Sequence, residues 1–582
     1  MRICETYSII IGKIICELCV QKNNIMKNLL LALISGVLLA ISWPTYGIPF
    51  FIFFAFVPLL MMEHNIAKFS DIKRKSLAIF GLSYLTFVIW NAVTTGWLYN
   101  SKLPDGSNSL LAVLFPVLTN AFFMSIIFHF YRLYKRSQGT YFGLVFFVVI
   151  WMTFEKLHLV WEFTWPWLNL GNVFADYHEF IQWYDTLGST GGSFWILICN
   201  VLAFYTFRIW EAGRKRKPLI KNVSMVAGFI ILPMLISLVK YYNYTPKTVG
   251  TLNVTMLQPA LDPYNEKYQK DSLTIESDLL SIAEKNSKLI YPSSPTTETV
   301  KPENIDLYLA PETSLPGPGS ISERGFNNSL LINNIKSFLS QHPKSVFMGG
   351  ISSYYVYKDD EEKPVTASYL ERQGIWVDEY NSAIQIIPSK QPEVYHKAML
   401  VPGVEIFPYI NFFKPILGNV MLDLGGTTRS LGISKERKVF ANPYNKSVIA
   451  PIICYESVYG EYVTDYVKKG ANLLTIVTND SWWGYSQGHK QLLDYAKLRA
   501  IETRREIARA ANSGTSAHIN SRGDIVDDLP YGAKGALMAK VNLIDHETFY
   551  TKSGDFLSRL SMFVIGALLL FIPGRKYLTR KK

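Results

Sequence analysis

Long apolar blocks constrain this chain more than any other feature, because a run of about 20 apolar residues can cross a lipid bilayer as a helix. The blocks include NLLLALISGVLLAISW, TYFGLVFFVVIWMTF and NVSMVAGFIILPMLISLV in the first half of the chain, and LSMFVIGALLLFI near the C-terminus. The shorter ones need flanking aromatic or small residues to span. The sequence therefore predicts a membrane domain of about eight helices, seven before a long polar region and one after it.

Basic residues between the apolar blocks orient these helices. They form five clusters, at Lys22 and Lys27 and at residues 73–75, 132–136, 214–217 and 575–582. With eight spans all five fall on one side, which the positive-inside rule makes cytoplasmic. We therefore expect a multi-pass protein of the cytoplasmic membrane, with both termini cytoplasmic and the long polar region exported. The net charge of +12 then reflects topology, and no basic face remains for nucleic acid.

Four segments follow from this pattern. Residues 1–25 resemble neither a signal peptide nor a span, and we interpret them as a doubtful extension, with Met26 as an alternative start to Met1. Residues 26–242 form the predicted transmembrane domain and residues 243–555 the exported domain. Residues 556–582 form the last helix and a basic tail.

The exported region alternates short β-branched runs with helical stretches, which favours an α/β sheet covered on its faces. Predicted strands occupy residues 251–257, 304–310, 345–351, 382–388, 447–454 and 472–478. A long helix is predicted over residues 488–510, and loops over residues 289–303 and 357–375.

The exported region contains one cysteine, Cys454. In an oxidising compartment a lone cysteine cannot form a disulfide within its own domain, so it is either an inert buried thiol or a reactive one. Composition does not decide between these two.

Polar residues at the ends of predicted strands bear on that choice. NIDLYLAPE ends in Glu312, SVIAPIICYE delivers Cys454, and NLLTIVTND delivers Asn479 and Asp480. Ligand sites of open α/β sheets gather beyond such strand ends. No exported histidine lies in a protease-like signature and no zinc-ligand spacing occurs, which disfavours a cysteine protease and a zinc site. The remaining combination uses a glutamate base and a lysine cation to activate the thiol.

Four motifs, LAPETSLP, YHKAMLVPGVEIFP, PIICYESVYGEY and TNDSWWG, occur in an order that resembles the carbon–nitrogen hydrolase (nitrilase) superfamily. The resemblance implies an αββα sandwich with a Glu-Lys-Cys triad. Seven spans before such a domain and one after it, together with LVPGVEIFP, resemble the apolipoprotein N-acyltransferase family.

The resemblance implies a role for each matched residue. Glu312 is the implied general base, Lys397 the cation on the oxyanion side, and Cys454 the nucleophile. Glu405 is implied to support the triad, and Tyr455 and Glu456 to shape the pocket. Two alternatives stay open: Glu456 as a buried ion-pair partner and Tyr455 as a core residue. Aligning Tyr268 with a position where the family often carries a tryptophan requires a one-residue shift, so Tyr268 is not among the implied site residues.

The implied activity is transfer of a fatty acyl group from a phospholipid, phosphatidylethanolamine as the implied donor, to the N-terminal amine of a diacylglyceryl-cysteine apolipoprotein. The reaction passes through a thioester on Cys454, is the final step of lipoprotein maturation, and is implied to need neither metal nor organic cofactor. One alternative is a membrane-tethered amidase or nitrilase that uses the same triad with water as acceptor. Another is a non-enzymatic binding domain or transporter, although several spans lack charged residues in their interiors.

Two segments suggest contact with lipid. Residues 160–174 and 181–188 are tryptophan-rich, which is typical of an outward-facing interfacial belt. Residues 409–426 are unusually apolar for a loop. They form either a core element or a flexible arm that enters the lipid, with Gly418, Gly425 and Gly426 as candidate hinges.

Overall fold

The computed structural model describes residues 24–69, 74–102, 106–213, 216–264, 266–267, 269–285, 304–409, 412 and 430–580. The predicted N-terminal extension up to residue 23, the predicted loop 289–303, Tyr268 and most of the predicted arm, with its three glycines, lie outside these ranges.

Seven helices in the described part of the chain are long and apolar enough to cross a membrane. Six of them are α1 (Asn24–Ile41), α3 (Lys75–Thr95), α4 (Leu110–Gln138), α5 (Thr140–Val160), α6 (Tyr184–Glu211) and α7 (Arg216–Asn243). The other span, Pro49–Lys68, joins the 3₁₀ turn Pro49–Phe53 to the shorter helix α2 (Val57–Phe69). A further apolar helix, α13 (Phe556–Arg580), follows the α/β domain and packs against α5 and α6. The predicted multi-pass architecture, with seven helices before the α/β domain and one after it, is confirmed.

The α/β domain begins with an eight-stranded sheet in the order β14-β1-β2-β4-β6-β5, with β3 paired to β4 and β7 paired to β6. Its strands are β1 (Thr248–Gln258), β2 (Leu307–Leu309), β3 (Ile321–Ser322), β4 (Val346–Tyr357), β5 (Ser368–Leu370), β6 (Ile375–Ile386), β7 (Glu393–His396) and β14 (Gly535–Ile544). Strands β1, β2 and β4 run parallel. The predicted loop 357–375 thus contains a short edge strand, β5, which pairs with β6.

A second, six-stranded sheet has the order β13-β12-β11-β10-β9-β8. Its strands are β8 (Phe440–Ala441), β9 (Val448–Ile453), β10 (Leu473–Thr478), β11 (Ile507–Ala511), β12 (Ser516–Ile519) and β13 (Ile525–Leu529). Strands β9, β10 and β11 are parallel, so their carboxyl ends share one edge.

The two sheets pack face to face with helices on their outer faces. On β2, Leu307 and Leu309 lie in the apolar core that includes the second sheet, whereas Tyr308 packs with α8 (Ser272–Lys285) and α9 (Leu330–Ser340). Helices α10 (Gly460–Lys468) and α11 (Gln487–Thr503) cover the second sheet, and the short α12 (Phe549–Ser553) precedes α13. This arrangement is the predicted αββα sandwich.

The predicted helix over residues 488–510 is too long. In the structure α11 ends at Thr503, Arg504 has a left-handed φ of 52°, and residues 507–511 form β11 beside β10. The Arg504 guanidinium holds the turn by donating to Gln182 Oε1 at 2.7 Å and to Asp185 Oδ2 at 2.9 Å. The turn therefore depends on partners near and in α6, which are distant in sequence.

At the centre of the predicted tryptophan belt, Trp167 is covered by the sandwich. Trp167 is 3% exposed, and its ring packs against Trp97 at 5.1 Å and Trp483 at 6.0 Å. Tyr495 on α11 donates a 2.7 Å hydrogen bond to the Trp167 carbonyl. Residues around Trp167 therefore form part of the seam between the membrane helices and the sandwich.

Candidate active site

Each residue of the implied triad lies just beyond the end of a strand, where the edges of the two sheets meet. Glu312 follows β2 and Lys397 follows β7 in the first sheet, while Cys454 follows β9 in the second. All three side chains are buried. Asn479, directly after β10, donates its backbone N–H to Glu312 Oε2 at 3.0 Å and so joins the second sheet to the first.

The Lys397 ammonium lies between two carboxylates. Its Nζ is 3.0 Å from Glu312 Oε1 and 2.9 Å from Glu405 Oε1. Asn381 on β6 donates its side-chain amide to the same two oxygens, at 2.8 Å each. Burial alone would lower the pKa of Lys397, but the two carboxylates raise it well above its ordinary value. The lysine is therefore a fixed cation.

The same contacts keep Glu312 ionised. Burial acts to raise its pKa, but Lys397 and the Asn381 amide outweigh burial, and the pKa of Glu312 lies below its ordinary value. Its backbone is tightly enclosed, since a Cβ added to Gly350 would lie 2.5 Å from Glu312 Cα. Glu312 is thus an ionised carboxylate at neutral pH, held in place by its contacts.

Cys454, in contrast to the ionised Glu312, carries a neutral thiol. Burial and the nearby Glu312 raise the pKa of its thiol, and Lys397 only partly compensates. A neutral thiol beside an ionised carboxylate is the starting arrangement for general-base activation. Cys454 also has a left-handed φ of 48° at the start of a 3₁₀ turn, Cys454–Val458, which is a strained conformation for a non-glycine residue.

Glu456, two residues on, accepts hydrogen bonds from three tyrosines, including a 3.5 Å bond from Tyr466 to Oε2, and from the backbone. Tyr395 and Tyr462 donate to its Oε1 at 2.7 Å and 2.6 Å. The N–H of Ala398 donates to Oε1 at 2.8 Å, and that of Ile453 to Oε2 at 2.9 Å. Glu456 therefore ties the segment that carries Lys397 to the strand that carries Cys454, with neutral donors in place of an ion pair.

Tyr455 connects the nucleophile to the membrane domain. Its hydroxyl donates to the Thr164 carbonyl at 3.2 Å, and its ring lies 6.2 Å from that of Trp167. The tyrosine is buried at the seam, so it packs against the membrane domain beside the nucleophile.

Sequence reasoning missed Asn381 and Lys267. Asn381 is a buried polar residue in the middle of β6, and that unusual position is the signal that could have found it. Lys267 lies in the loop after β1, and its Nζ contacts Thr313 Oγ1 beside Glu312. Its sequence neighbourhood gives no such signal. His396, next to Lys397, contacts Ser382 and stacks on Tyr380 instead of joining the triad.

The described residues contain no group of three or more histidine, cysteine, aspartate or glutamate side chains placed to hold a metal ion. The triad side chains bring together a neutral thiol, an ionised carboxylate and a buried ammonium.

Two family models match the chain, one on each domain. The apolipoprotein N-acyltransferase N-terminal domain matches residues 35–202, and the carbon-nitrogen hydrolase model matches residues 353–549. This order agrees with the predicted membrane domain followed by a nitrilase-like sandwich.

Curated relatives align along almost the whole chain. The apolipoprotein N-acyltransferase of Chlorobaculum tepidum is 28% identical over 558 residues, which cover 94% of this chain and 97% of that protein. Apolipoprotein N-acyltransferase 1 of Treponema denticola is 26% identical, with 95% and 98% covered. Among solved structures, an amidase from Nesterenkonia sp. is 13% identical with a TM-score of 0.34, covering 53% of this chain and 95% of that one.

Proposed function

We propose that the chain is an apolipoprotein N-acyltransferase, like the relatives it resembles, and that it transfers a fatty acyl group from a phospholipid to the N-terminal amine of a diacylglyceryl-cysteine apolipoprotein. Glu312, Lys397 and Cys454 are the proposed catalytic residues. Glu405, Tyr455 and Glu456 support them.

The observation that carries this proposal is the position of the thiol at the seam between the sandwich and the membrane helices. Cys454 is followed by Tyr455, which contacts Thr164 and Trp167 of the segment between α5 and α6. A nucleophile built against a membrane domain suits an acyl donor that resides in the bilayer. A soluble amide substrate would not require this placement, and no observation favours the amidase alternative.

The first half-reaction loads the enzyme. Glu312 takes the proton of the Cys454 thiol as the sulfur attacks the ester carbonyl, and the Lys397 ammonium stabilises the oxyanion. When the C–O bond breaks, Glu312 returns the proton to the glycerol oxygen of the leaving lysophospholipid. The acyl group remains on Cys454 as a thioester.

The second half-reaction discharges the thioester. The α-amine of the apolipoprotein attacks the thioester carbonyl, and Glu312 takes a proton from the nitrogen. Collapse of the tetrahedral intermediate forms the amide and expels the Cys454 sulfur, which regains its proton from Glu312. The cycle is balanced without an oxidant, a metal or an organic cofactor.

Cellular placement and donor belong to the same proposal. The basic clusters support an inner-membrane protein with cytoplasmic termini and the sandwich on the periplasmic side. Phosphatidylethanolamine is the proposed donor. Reporter fusions after residues 75, 136 and 217 should read cytoplasmic and a fusion near residue 400 exported. A cytoplasmic result near residue 400 would contradict the placement.

Acyl labelling tests the reaction directly. Purified protein in detergent is incubated with phosphatidylethanolamine that carries a labelled acyl chain, without acceptor. We expect one label per chain, released by neutral hydroxylamine as a thioester is. An acceptor peptide with a free N-terminal amine should discharge it, and an N-acetylated peptide should not.

Cysteine variants locate the thioester. Cys454→Ala should take up no label. Cys199→Ala is the matched control, because this other described cysteine is buried in α6, and it should load like the wild type. Label on Cys454→Ala would place the nucleophile elsewhere, and discharge to water at the same rate without acceptor would favour the amidase.

A further inference from the structure

The proposed site contains more negative charge than Lys397 can balance. Glu312 and Glu405 both pair with its single ammonium, so these three side chains leave one negative charge uncompensated. Lys397 is 1% exposed and Glu312 is 6% exposed. An unbalanced charge in such a place is costly, and burial would push a proton onto one of the carboxylates. A protonated Glu312 could not act as a base.

A second lysine lies close enough to the same carboxylate to interact with it electrostatically, and it comes from a different element. Lys267, in the loop between β1 and α8, is 4% exposed. Its Nζ donates to the hydroxyl of Thr313, the residue after Glu312. Burial lowers the pKa of Lys267 to about 8, while Glu312 acts to raise it, so the side chain remains protonated at neutral pH.

Lys267 also contacts a strained turn. Thr313 has a left-handed φ of 45°, and a Cβ on Gly350 would lie 2.4 Å from the Thr313 nitrogen. A non-glycine residue persists in this conformation only when its surroundings hold it there. The bond from Lys267 is one such restraint, and it acts on the backbone that sets the direction of Glu312.

We propose that Lys267 is a positioning residue of the acyl-transfer site, which fixes the Glu312–Thr313 turn and supplies the second positive charge that keeps Glu312 ionised. This role rests on the proposed function. It differs from the role of Lys397, which directly follows β7 and is proposed to stabilise the oxyanion.

The other charged groups near Glu312 define what the loss of Lys267 would do. Lys397 pairs directly with Glu312, Glu405 reaches Glu312 only through the shared Lys397 ammonium and the shared Asn381 amide, and the Cys454 thiol is neutral at rest. Asp480 lies near Cys454 but is paired with Arg509 at 2.6 Å, a neutral unit. Without Lys267 the pKa of Glu312 therefore rises, and the base becomes protonated at a higher pH than in the wild type.

The test compares pH profiles of thioester loading. Lys267→Met removes the charge and the bond to Thr313 but keeps an unbranched apolar stem, and Lys267→Arg keeps the charge. Lys270→Met is the matched control, because Lys270 lies on the same loop with a side chain 36% exposed. Loading rates are measured from about pH 4 to about pH 8 with labelled phospholipid, a range that extends below the ordinary glutamate pKa, because the pKa of Glu312 is lowered in the wild type.

We expect the acid limb of Lys267→Met to move to higher pH, with an additional loss of about tenfold near pH 5 relative to pH 8. Lys267→Arg should keep the wild-type acid limb even if its rate is lower, and Lys270→Met should match the wild type throughout. A uniform loss in Lys267→Met with an unmoved acid limb would overturn the proposal, because a purely structural role predicts that result.

Two further measurements keep the outcomes separate. If Lys267→Met does not fold, as judged by its melting temperature in detergent, Lys267→Gln replaces it, and an unmoved acid limb in that variant also overturns the proposal. If the wild-type protein itself does not load, the proposed function has failed and not the role of Lys267. The pH dependence of Cys454 alkylation by iodoacetamide then tests the effect of Lys267 without any acyl donor.

Discussion

Glu312 and Glu456 are both buried carboxylates beside Cys454, but one is surrounded by cations and the other by neutral donors. Glu312 is paired with Lys397 and lies near Lys267. Glu456 receives tyrosine hydroxyls and backbone N–H groups. Burial acts to raise both pKa values, yet the pKa of Glu456 is raised and that of Glu312 is lowered. Burial is common to both, so the cations decide the charge state.

This difference in charge state suits the two glutamates to different roles, Glu312 to the proposed reaction and Glu456 to holding the structure of the site. A carboxylate that stays ionised can accept the thiol proton, which suits Glu312 to the proposed base. Glu456 accepts N–H groups from Ile453 and Ala398 and thereby fixes the segments that carry Cys454 and Lys397. Substitutions at the two glutamates should therefore have different consequences for rate and for stability.

Glu312→Gln should cause the larger loss of activity. The amide keeps the size of the side chain but cannot accept the thiol proton, so thioester loading should fall by about 10³-fold, within the range for loss of a general base. The measurement is the rate of acyl labelling of Cys454. Glu323→Gln is the matched control, because Glu323 accepts a 2.7 Å hydrogen bond from Ser353 in the same sheet outside the triad. Equal losses in both variants would mean that the effect is not specific to Glu312.

Lys397→Arg tests whether any positive charge between Glu312 and Glu405 is sufficient for activity, or whether the compact ammonium is needed. The planar guanidinium is larger than an ammonium and cannot occupy the same point between Glu312 and Glu405. Loading should fall by about 10²-fold, the scale of losing one oxyanion donor. Near-normal loading would show that Lys397 acts as a diffuse charge and not as a placed donor.

Glu456→Gln should affect stability more than rate. Its amide can keep one accepting oxygen, but the other position becomes a donor that faces hydroxyl or N–H groups. We expect a loss of about 1–3 kcal/mol in the free energy of unfolding, the cost of leaving a buried polar group unsatisfied. Loading by the folded protein should remain within about tenfold of the wild type, about two orders of magnitude faster than after loss of the base. Tyr395→Phe, which removes one donor, should be milder. A loss of rate as large as that of Glu312→Gln would contradict the framework role.

The sequence predicts more of this site than of the seam around it. Glu312 and Cys454 follow apolar strands whose patterns are local, so their positions at strand ends could be read directly. Lys267 and Asn381 could not be assigned, because their link to Glu312 depends on how a loop and a strand fold over it. The turn at Arg504 and the burial of Trp167 likewise depend on contacts between the two domains. Hydrophobic patterns specify the faces of single elements, and contacts between domains add information that the patterns lack.

The smallest expected effect is the dependence of these stability changes on pH, and it has opposite signs for the two glutamates. A carboxyl whose pKa is lowered on folding stabilises the protein above its unfolded value, ordinarily 4.5, and that stability is lost as the pH falls through the folded pKa. A carboxyl whose pKa is raised contributes stability below 4.5 that is lost as the pH rises through the folded pKa.

The melting-temperature advantage of the wild type over Glu312→Gln should therefore shrink as the pH falls below 4.5. Its advantage over Glu456→Gln should shrink as the pH rises above 4.5. Melting curves in detergent across this range check both slopes. If the difference in melting temperature changed with pH in the same direction for both variants, the cations near Glu312 would not set its charge. The proposed difference between Glu312 and Glu456 would then be wrong.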